Sequence, residues 1–231
     1  MIILSEDEPS KRVLAIGDIH GCLNALETLA ERIPLRPESD FLITLGDYVD
    51  RGPDSKGVLD WLRSWPGEKV NLRGNHEIMM LEAASGGTWA GGWEHVGGRE
   101  TLASYGVGAT LKDVPEAHWD FIGTLAPWFE IDSHFFVHAN ADPSLDLADQ
   151  FETELFWERY DNPPAHKNGK IMVCGHAAQR SGLPRFNGNA ICIDTWAYGE
   201  GWLTCLDVAR QTYWQANQAG EFRTGALELD R

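Results

Sequence analysis

Asp, His and Asn recur in this chain just after short apolar runs: GDIHG at 17–21, GDYVDRG at 46–52, RGNHE at 73–77, VHAN at 137–140 and CGH at 174–176. Asp18, His20, Asp47, Asn75, His138 and His176 together offer carboxylate and amide oxygens and imidazole nitrogens. That donor set suits intermediate divalent metals such as Mn, Fe and Zn, and it requires no cysteine. A carboxylate such as Asp47 can give one oxygen to each of two ions, and two ions about 3.5–4 Å apart can clamp the attacking and departing oxygens of an in-line displacement. Each motif alone has an ordinary reading: Gly-Asp after a strand is commonly a turn, and a lone His is more often a hydrogen-bonded core residue than a ligand. Five motifs in one order are harder to explain as turns.

The elements that must position them can be read from the apolar pattern. Val13–Ile16, Phe41–Leu45 and Val70–Leu72 are short apolar runs, expected as strands buried on both faces of a parallel sheet. Between the first two, Leu23, Leu26, Leu29, Ala30 and Ile33 recur at helical spacing; between the second and third, Val58, Leu62 and Trp65 do so. The result is a βαβαβ unit. The separations Asp18 to Asp47 (29 residues) and Asp47 to Asn75 (28) each fit one crossover, so the three side chains should meet at the carboxyl edge of the sheet, where ligands of such sheets bind.

The second half carries four further strand candidates, Phe135–Val137, Ile171–Cys174, Ala190–Ile193 and Trp202–Val208, in loops rich in Gly, Pro, Asn and Asp. They are expected to form a second sheet facing the first, within one domain spanning 1–231. The last dozen residues, GEFRTGALELDR, read as a poorly specified tail. Residues 86–98 hold six glycines and are either a flexible surface loop or a mobile flap beside the site.

With 43% hydrophobic residues and ten Trp, the chain can bury a sizeable core. No run approaches the ~20 apolar residues of a membrane span, and the acidic start lacks the positive region of a signal peptide, so a cytoplasmic protein is expected. Four scattered cysteines without a CxxC pair argue against a disulfide framework. A net charge of −16 disfavours nucleic acid and anionic membranes, which are bound through clustered Lys and Arg. A small phosphate ester is still acceptable, because two bound divalent ions bring positive charge to the point of need.

GDIHG, GDYVDRG and RGNHE match the signature of the phosphoprotein phosphatase family of calcineurin-like metallophosphoesterases. FVHAN, LFWER, CGH, CIDT and GWLTCLDV resemble stretches of bacterial and bacteriophage lambda-type protein phosphatases, so that the likeness covers roughly residues 12–208. The resemblance implies an αββα sandwich of two facing mixed sheets flanked by helices. It implies two divalent ions per chain, Mn first, with Fe, Zn or Ni as alternatives. Asp18, His20 and Asp47 would bind one ion, and Asp47, Asn75, His138 and His176 the other. By the same likeness His76 is the acid that protonates the leaving alkoxide, Asp50 orients His76, and Arg51 with Asn75 holds the phosphate oxygens. A metal-bound hydroxide would attack. Arg159 resembles a second phosphate-gripping arginine; its plainer reading is a surface arginine paired with Glu158 or Asp161. The chain departs from eukaryotic members at Asn140 and Ala177 and lacks their C-terminal extension, so no dedicated regulatory subunit is expected. His95, His118, His134 and His166 match no ligand position; His95 is the one that can line the substrate mouth.

The implied activity is a serine/threonine protein phosphatase, with dual specificity as an extension, acting on phosphoproteins or small phosphate esters. The rival with the same chemistry is a symmetric bis(5'-nucleosyl)-tetraphosphate hydrolase. A catalytically silent scaffold is the alternative from another class, disfavoured because no ligand is missing.

Overall fold

The computed structural model describes residues 11–230. Its strands are β1 (Arg12–Ile16), β2 (Asp40–Thr44), β3 (Glu68–Asn71), β4 (Trp128–Glu130), β5 (His134–Val137), β6 (Ile171–Cys174), β7 (Arg185–Phe186), β8 (Ala190–Cys192), β9 (Asp194–Thr195), β10 (Trp202–Asp207), β11 (Thr212–Ala216) and β12 (Phe222–Ala226). The helices are α1 (Leu23–Arg32), α2 (Ser55–Ser64), α3 (Asn75–Ser85), α4 (Gly98–Ser104), α5 (Glu116–Gly123) and α6 (Glu152–Phe156).

Alternation along β1 and β2 sets the layers. Successive strand residues point to opposite faces, so Leu14, Ile16 and Leu42 meet α1 and α2, while Ala15, Phe41 and Ile43 face the second sheet. Helix α1 buries Ala25, Leu26 and Leu29 on one stripe, each leucine contributing about 1.5–3 kcal/mol when removed from water. Between the sheets, Ala15, Ile43 and Leu206 pack with Phe136, Val173 and Ile191. On the far face of the second sheet, Phe135, Val137, Met172 and Cys174 pack with Leu155, Phe156 and Tyr160. This is the αββα sandwich.

Strands β1, β2 and β3 are parallel, with Leu14 beside Leu42 and Ile43 beside Val70. The first sheet runs β12-β11-β10-β1-β2-β3, with β9 also on β10; the second runs β4-β5-β6-β8-β7. Three expectations need correction. Trp202–Asp207 does not join the second sheet but pairs antiparallel with β1 in the first, Ile16 opposite Cys205. Strand β3 is the last strand of the first sheet and Val70 is only half buried, not buried on both faces as the apolar run suggested. The supposed tail contains β12, which pairs along its whole length with β11, and Asp230 is bonded to Arg185 at 2.9 Å.

The second half of the glycine-rich segment is packed against the site loop. Helix α3 ends at Gly86 in the left-handed conformation, residues 93–96 form a short 3-10 turn, and the Trp93 side chain is buried. Gly97 has φ 129°, and a Cβ there would stand 2.5 Å from Arg51 N, so only glycine permits the Gly97 carbonyl to accept from the Arg51 N–H.

Candidate metal centre

The carboxyl ends of β1, β2, β5 and β6 and the start of α3 deliver the site. Asp18 and His20 follow β1, Asp47 follows β2, Asn75 opens α3, His138 follows β5 and His176 follows β6. The turns that aim these side chains are unusual. His20, Asp47, Asp50, Arg51 and His176 all have φ between 46° and 72°, a region non-glycine residues enter at a cost of about 1–3 kcal/mol each and keep only where the surroundings enforce it. Glu77 supplies part of that enforcement: its fully buried carboxylate accepts from the N–H groups of Asp47 (2.9 Å), Tyr48 (2.7 Å) and Gly74 (2.9 Å).

Asp47 lies at the centre. Its carboxylate belongs to two three-residue clusters, one with His20 and His76 and one with His138 and His176, the potential ligand atoms of each lying within 4.8 Å of one another. His138 Nε2 and His176 Nδ1 each approach Asn75 Oδ1 to 3.0 Å. Asp18 enters neither cluster: its Oδ2 accepts from the His176 N–H at 2.9 Å, while its buried Oδ1 has no hydrogen-bond partner.

Hydrogen bonds to the backbone decide which imidazole nitrogens are free. His20 Nδ1 donates to Val49 O (2.9 Å), His138 Nδ1 to Leu45 O (2.8 Å) and His176 Nε2 to Trp157 O (3.1 Å). Burial lowers the pKa of all three, His176 to about 4, so each ring is neutral with its other nitrogen a bare lone pair. Those lone pairs face carboxylate and amide oxygens: His20 Nε2 is 3.4 Å from Asp47 Oδ2 and His138 Nε2 3.5 Å from Asp47 Oδ1. Acceptors facing acceptors repel unless a cation lies between, and a backbone carbonyl fixing the distal imidazole nitrogen is the usual support of a metal-bound histidine. The unpartnered Asp18 Oδ1 points the same way. Burial would raise the Asp47 carboxyl; where the imidazoles of His138, His76, His20 and His176 carry a proton their charge outweighs burial and holds Asp47 well below the usual carboxylate range, and where those rings are neutral a bound cation must take that place. The residues present therefore fit divalent metal ions.

Beside this set runs a second chain of contacts. His76 Nδ1 donates to Asp50 Oδ2 at 2.6 Å, and Asp50 also accepts from Trp93 Nε1 (2.9 Å) and Thr101 Oγ1 (2.7 Å). Arg51 Nη2 donates to His76 Nε2 at 2.9 Å, and its guanidinium carbon lies 4.6 Å from the centre of the Tyr198 ring. Asp47, Arg51, Arg159, His176 and Tyr198 line a cleft of about 360 Å³. Arg159 is exposed on the cleft wall, with no ion pair to Glu158 or Asp161 among the described residues.

A calcineurin-like phosphoesterase family model matches residues 11–204. The chain belongs to the calcineurin-like phosphoesterase family. Members use a dinuclear divalent metal centre, and this chain holds the clustered His and Asp residues for one. It is 45% identical over 74 residues to serine/threonine-protein phosphatase 1 of Salmonella typhimurium, a match covering 32% of this chain and 33% of that protein. It is 42% identical over 172 residues to the symmetrical bis(5'-nucleosyl)-tetraphosphatase of Methylobacillus flagellatus, covering 69% of this chain and 56% of that one. The chain thus spans only a third to just over half of these curated relatives. Among solved structures, a putative diadenosine tetraphosphatase shares the fold with a TM-score of 0.67 at 20% identity, covering 94% of this chain and 93% of that chain. No helix among the described residues is long and apolar enough to cross a membrane.

The structure gathers Asp18, His20, Asp47, Asn75, His138 and His176 at the carboxyl ends of the strands, with Glu77, Trp93, Thr101 and Tyr198, to which no motif gave a role, packed beside them. Glu77 stands inside RGNHE and Trp93 inside the glycine-rich stretch; both carried a signal as motif members without a role. The four histidines outside the motifs are away from the clusters. His118 is buried between Tyr105 and Asp60, His134 and His166 are buried, and His95 is exposed beside Arg99.

Proposed function

We propose that this chain is a metal-dependent phosphomonoesterase acting on phosphoserine and phosphothreonine in proteins. The observation that carries the reading is the sharing of Asp47 between two His clusters directly beside the Asp50–His76–Arg51 chain. In this reading Asp18, His20 and Asp47 hold one ion, and Asp47, Asn75, His138 and His176 the other, with Mn the first choice. Bound there, the ions would supply Lewis-acid charge stabilisation and activation of water.

The chain's own residues do the rest. Arg51 exchanges its bond with His76 for a phosphate oxygen, aided by Asn75, and Arg159 grips a second oxygen from the cleft wall. Released from Arg51, His76 carries a proton on Nε2 and gives it to the leaving alkoxide, while Asp50 holds Nδ1 and stabilises the cation. Burial opposes the His76 imidazolium, but Asp47 and Asp50 outweigh it and raise its pKa. We read the described residues as one domain, a reading supported by the core the two sheets share.

A second reading, symmetric dinucleoside tetraphosphate hydrolysis, is favoured by the longer match to the Methylobacillus relative. The two separate on a substrate panel of phosphopeptides, p-nitrophenyl phosphate and diadenosine tetraphosphate, run with Mn, Fe, Zn, Ni and Mg. The phosphatase reading expects the phosphopeptides to have the higher kcat/KM. Much faster cleavage of the dinucleotide would replace it with the second reading.

A further inference from the structure

The cleft holds more positive charge than one phosphate group uses. Arg51, Arg159 and Arg180 all line it, in a chain whose net charge is −16. Among the described residues none of the three forms an ion pair with a carboxylate, as Arg12, Arg63, Arg99, Arg185 and Arg210 do; Arg32, Arg36, Arg73 and Arg223 are likewise without one, but only Arg51, Arg159 and Arg180 share a cleft. Unpaired arginines gathered in one cleft of an acidic protein repel each other and are suited to an anion from outside.

Arg180 is also held in place. Its guanidinium carbon lies 5.2 Å from the centre of the Trp196 ring. Trp196 has φ 66°, a left-handed conformation rare for so bulky a residue, and its N–H donates to Asp194 Oδ1 at 3.0 Å. The Gln179 N–H donates to Asp194 O at 2.8 Å, joining the Arg180 turn to the Trp196 turn. Trp196 meets Tyr198 edge-on at 6.3 Å, and Tyr198 carries Arg51. Arg51 and Arg180 therefore stand on two neighbouring rings of one loop.

Space agrees with charge. A phosphate group fills roughly two to three times the ~30 Å³ share of a water molecule, so a cleft of about 360 Å³ has room for another group beside it.

We infer that Arg180, seated on Trp196, forms a second anion subsite that takes a further phosphate or carboxylate carried by the substrate next to its scissile phosphate. This rests on the phosphate-ester reading of the cleft. The shared chemistry is a set of anionic oxygens matched to a planar guanidinium fork. Its source is a second phosphoryl group or a neighbouring acidic side chain, and the substrates below distinguish them.

The test uses the full Mn-loaded chain and three phosphoserine peptides: one with neutral flanks, one with an adjacent Asp and one with a second phosphoserine. Diadenosine tetraphosphate and p-nitrophenyl phosphate form the small-molecule pair. The expected result is a preference for doubly anionic substrates, expressed in KM, that falls about tenfold in Arg180→Ala. Arg180→Lys should recover part of it, and Trp196→Leu should lose it with Arg180 present. Arg63→Ala, the same charge change beside Asp60, should retain it. In parallel, fluorescence anisotropy on a His76→Asn background reads the affinities of labelled singly and doubly phosphorylated peptides. An equal preference with and without Arg180 in both assays would overturn the subsite. If no ester is hydrolysed with any ion but Arg180→Ala still abolishes the binding preference, the phosphatase reading fails and Arg180 is left as an anion-binding residue of a cleft that does not cleave esters.

Discussion

Replacing Asp50 with Asn tests the arrangement around His76 most finely. The Asp50 carboxylate is fully buried and accepts three hydrogen bonds, from His76 Nδ1, Trp93 Nε1 and Thr101 Oγ1. An amide of the same shape keeps one oxygen, but its NH₂ must face at least one of those donors. A hydrogen bond to a charged group is worth about 1.5–3 kcal/mol; at about 1.4 kcal/mol per factor of ten, its loss should lower kcat by roughly 10- to 150-fold when His76 must protonate the leaving group. With p-nitrophenyl phosphate, whose leaving group needs little protonation, the loss should stay within about threefold. The assay is steady-state kinetics of Asp50→Asn and the parent on a phosphoserine peptide and the aryl ester, well below the melting temperature of the variant. Equal losses on both substrates would refute the assignment of Asp50 and His76 to leaving-group protonation and leave Asp50 as a packing residue.

Three further outcomes follow from the same geometry. Arg12 grips Asp40 with two bonds (2.9 and 2.6 Å) at the start of β2; burial would raise the Asp40 carboxyl, but Arg12 and the Arg36 N–H outweigh it and hold it below its ordinary value. The stability this contributes is present above the unfolded carboxylate pKa of about 3.9 and is lost as pH falls through the folded one, so Asp40→Asn should cost about 1.5–3 kcal/mol in urea unfolding at pH 7 and progressively less below about pH 4; an equal cost at pH 2 would contradict it. Gly175→Ala would place a Cβ 1.9 Å from Asp18 Oδ1, and is expected to abolish activity and lower metal content, whereas full activity would show that the Asp18 position is not needed. Metal at about a hundredfold excess over its Kd stabilises by about 2.7 kcal/mol, so exhaustive chelation should lower Tm by roughly 5–11 °C, restored by Mn; an unchanged Tm would mean the His and Asp clusters hold no ion.

Much of the sheet that bears the site is legible because β1 and β2 are flanked on both sides and read as unbroken apolar runs. Asp18 and Asp47 follow at crossover spacing. The partner of a strand is not legible in the same way. Trp202–Asp207 looks like the strands of the second sheet because burial, not sheet membership, selects its residues, and it is β9 with the turn from Trp196 to Gly201 that brings it back beside β1. Strand β12 is not legible because it lies at an edge and alternates weakly, with Phe222 and Arg223 half buried and Thr224 and Ala226 exposed. At the site, long-range partners were invisible: nothing in the spacing says that Trp93 and Thr101 donate to Asp50, 43 and 51 residues away. The strained backbone of His20, Asp47, Asp50, Arg51 and His176 was equally hidden, since none of these residues is glycine.

The central claim is that Asp47 is shared by two metal ions held by Asp18, His20, Asn75, His138 and His176. Elemental analysis of the purified chain after loading with Mn and removal of free ion measures this directly, beside Asp47→Asn with its fold verified by circular dichroism. Two ions per chain are expected for the parent and fewer than one for the variant. Two ions retained without the Asp47 carboxylate, or no more than one in the parent, would contradict it.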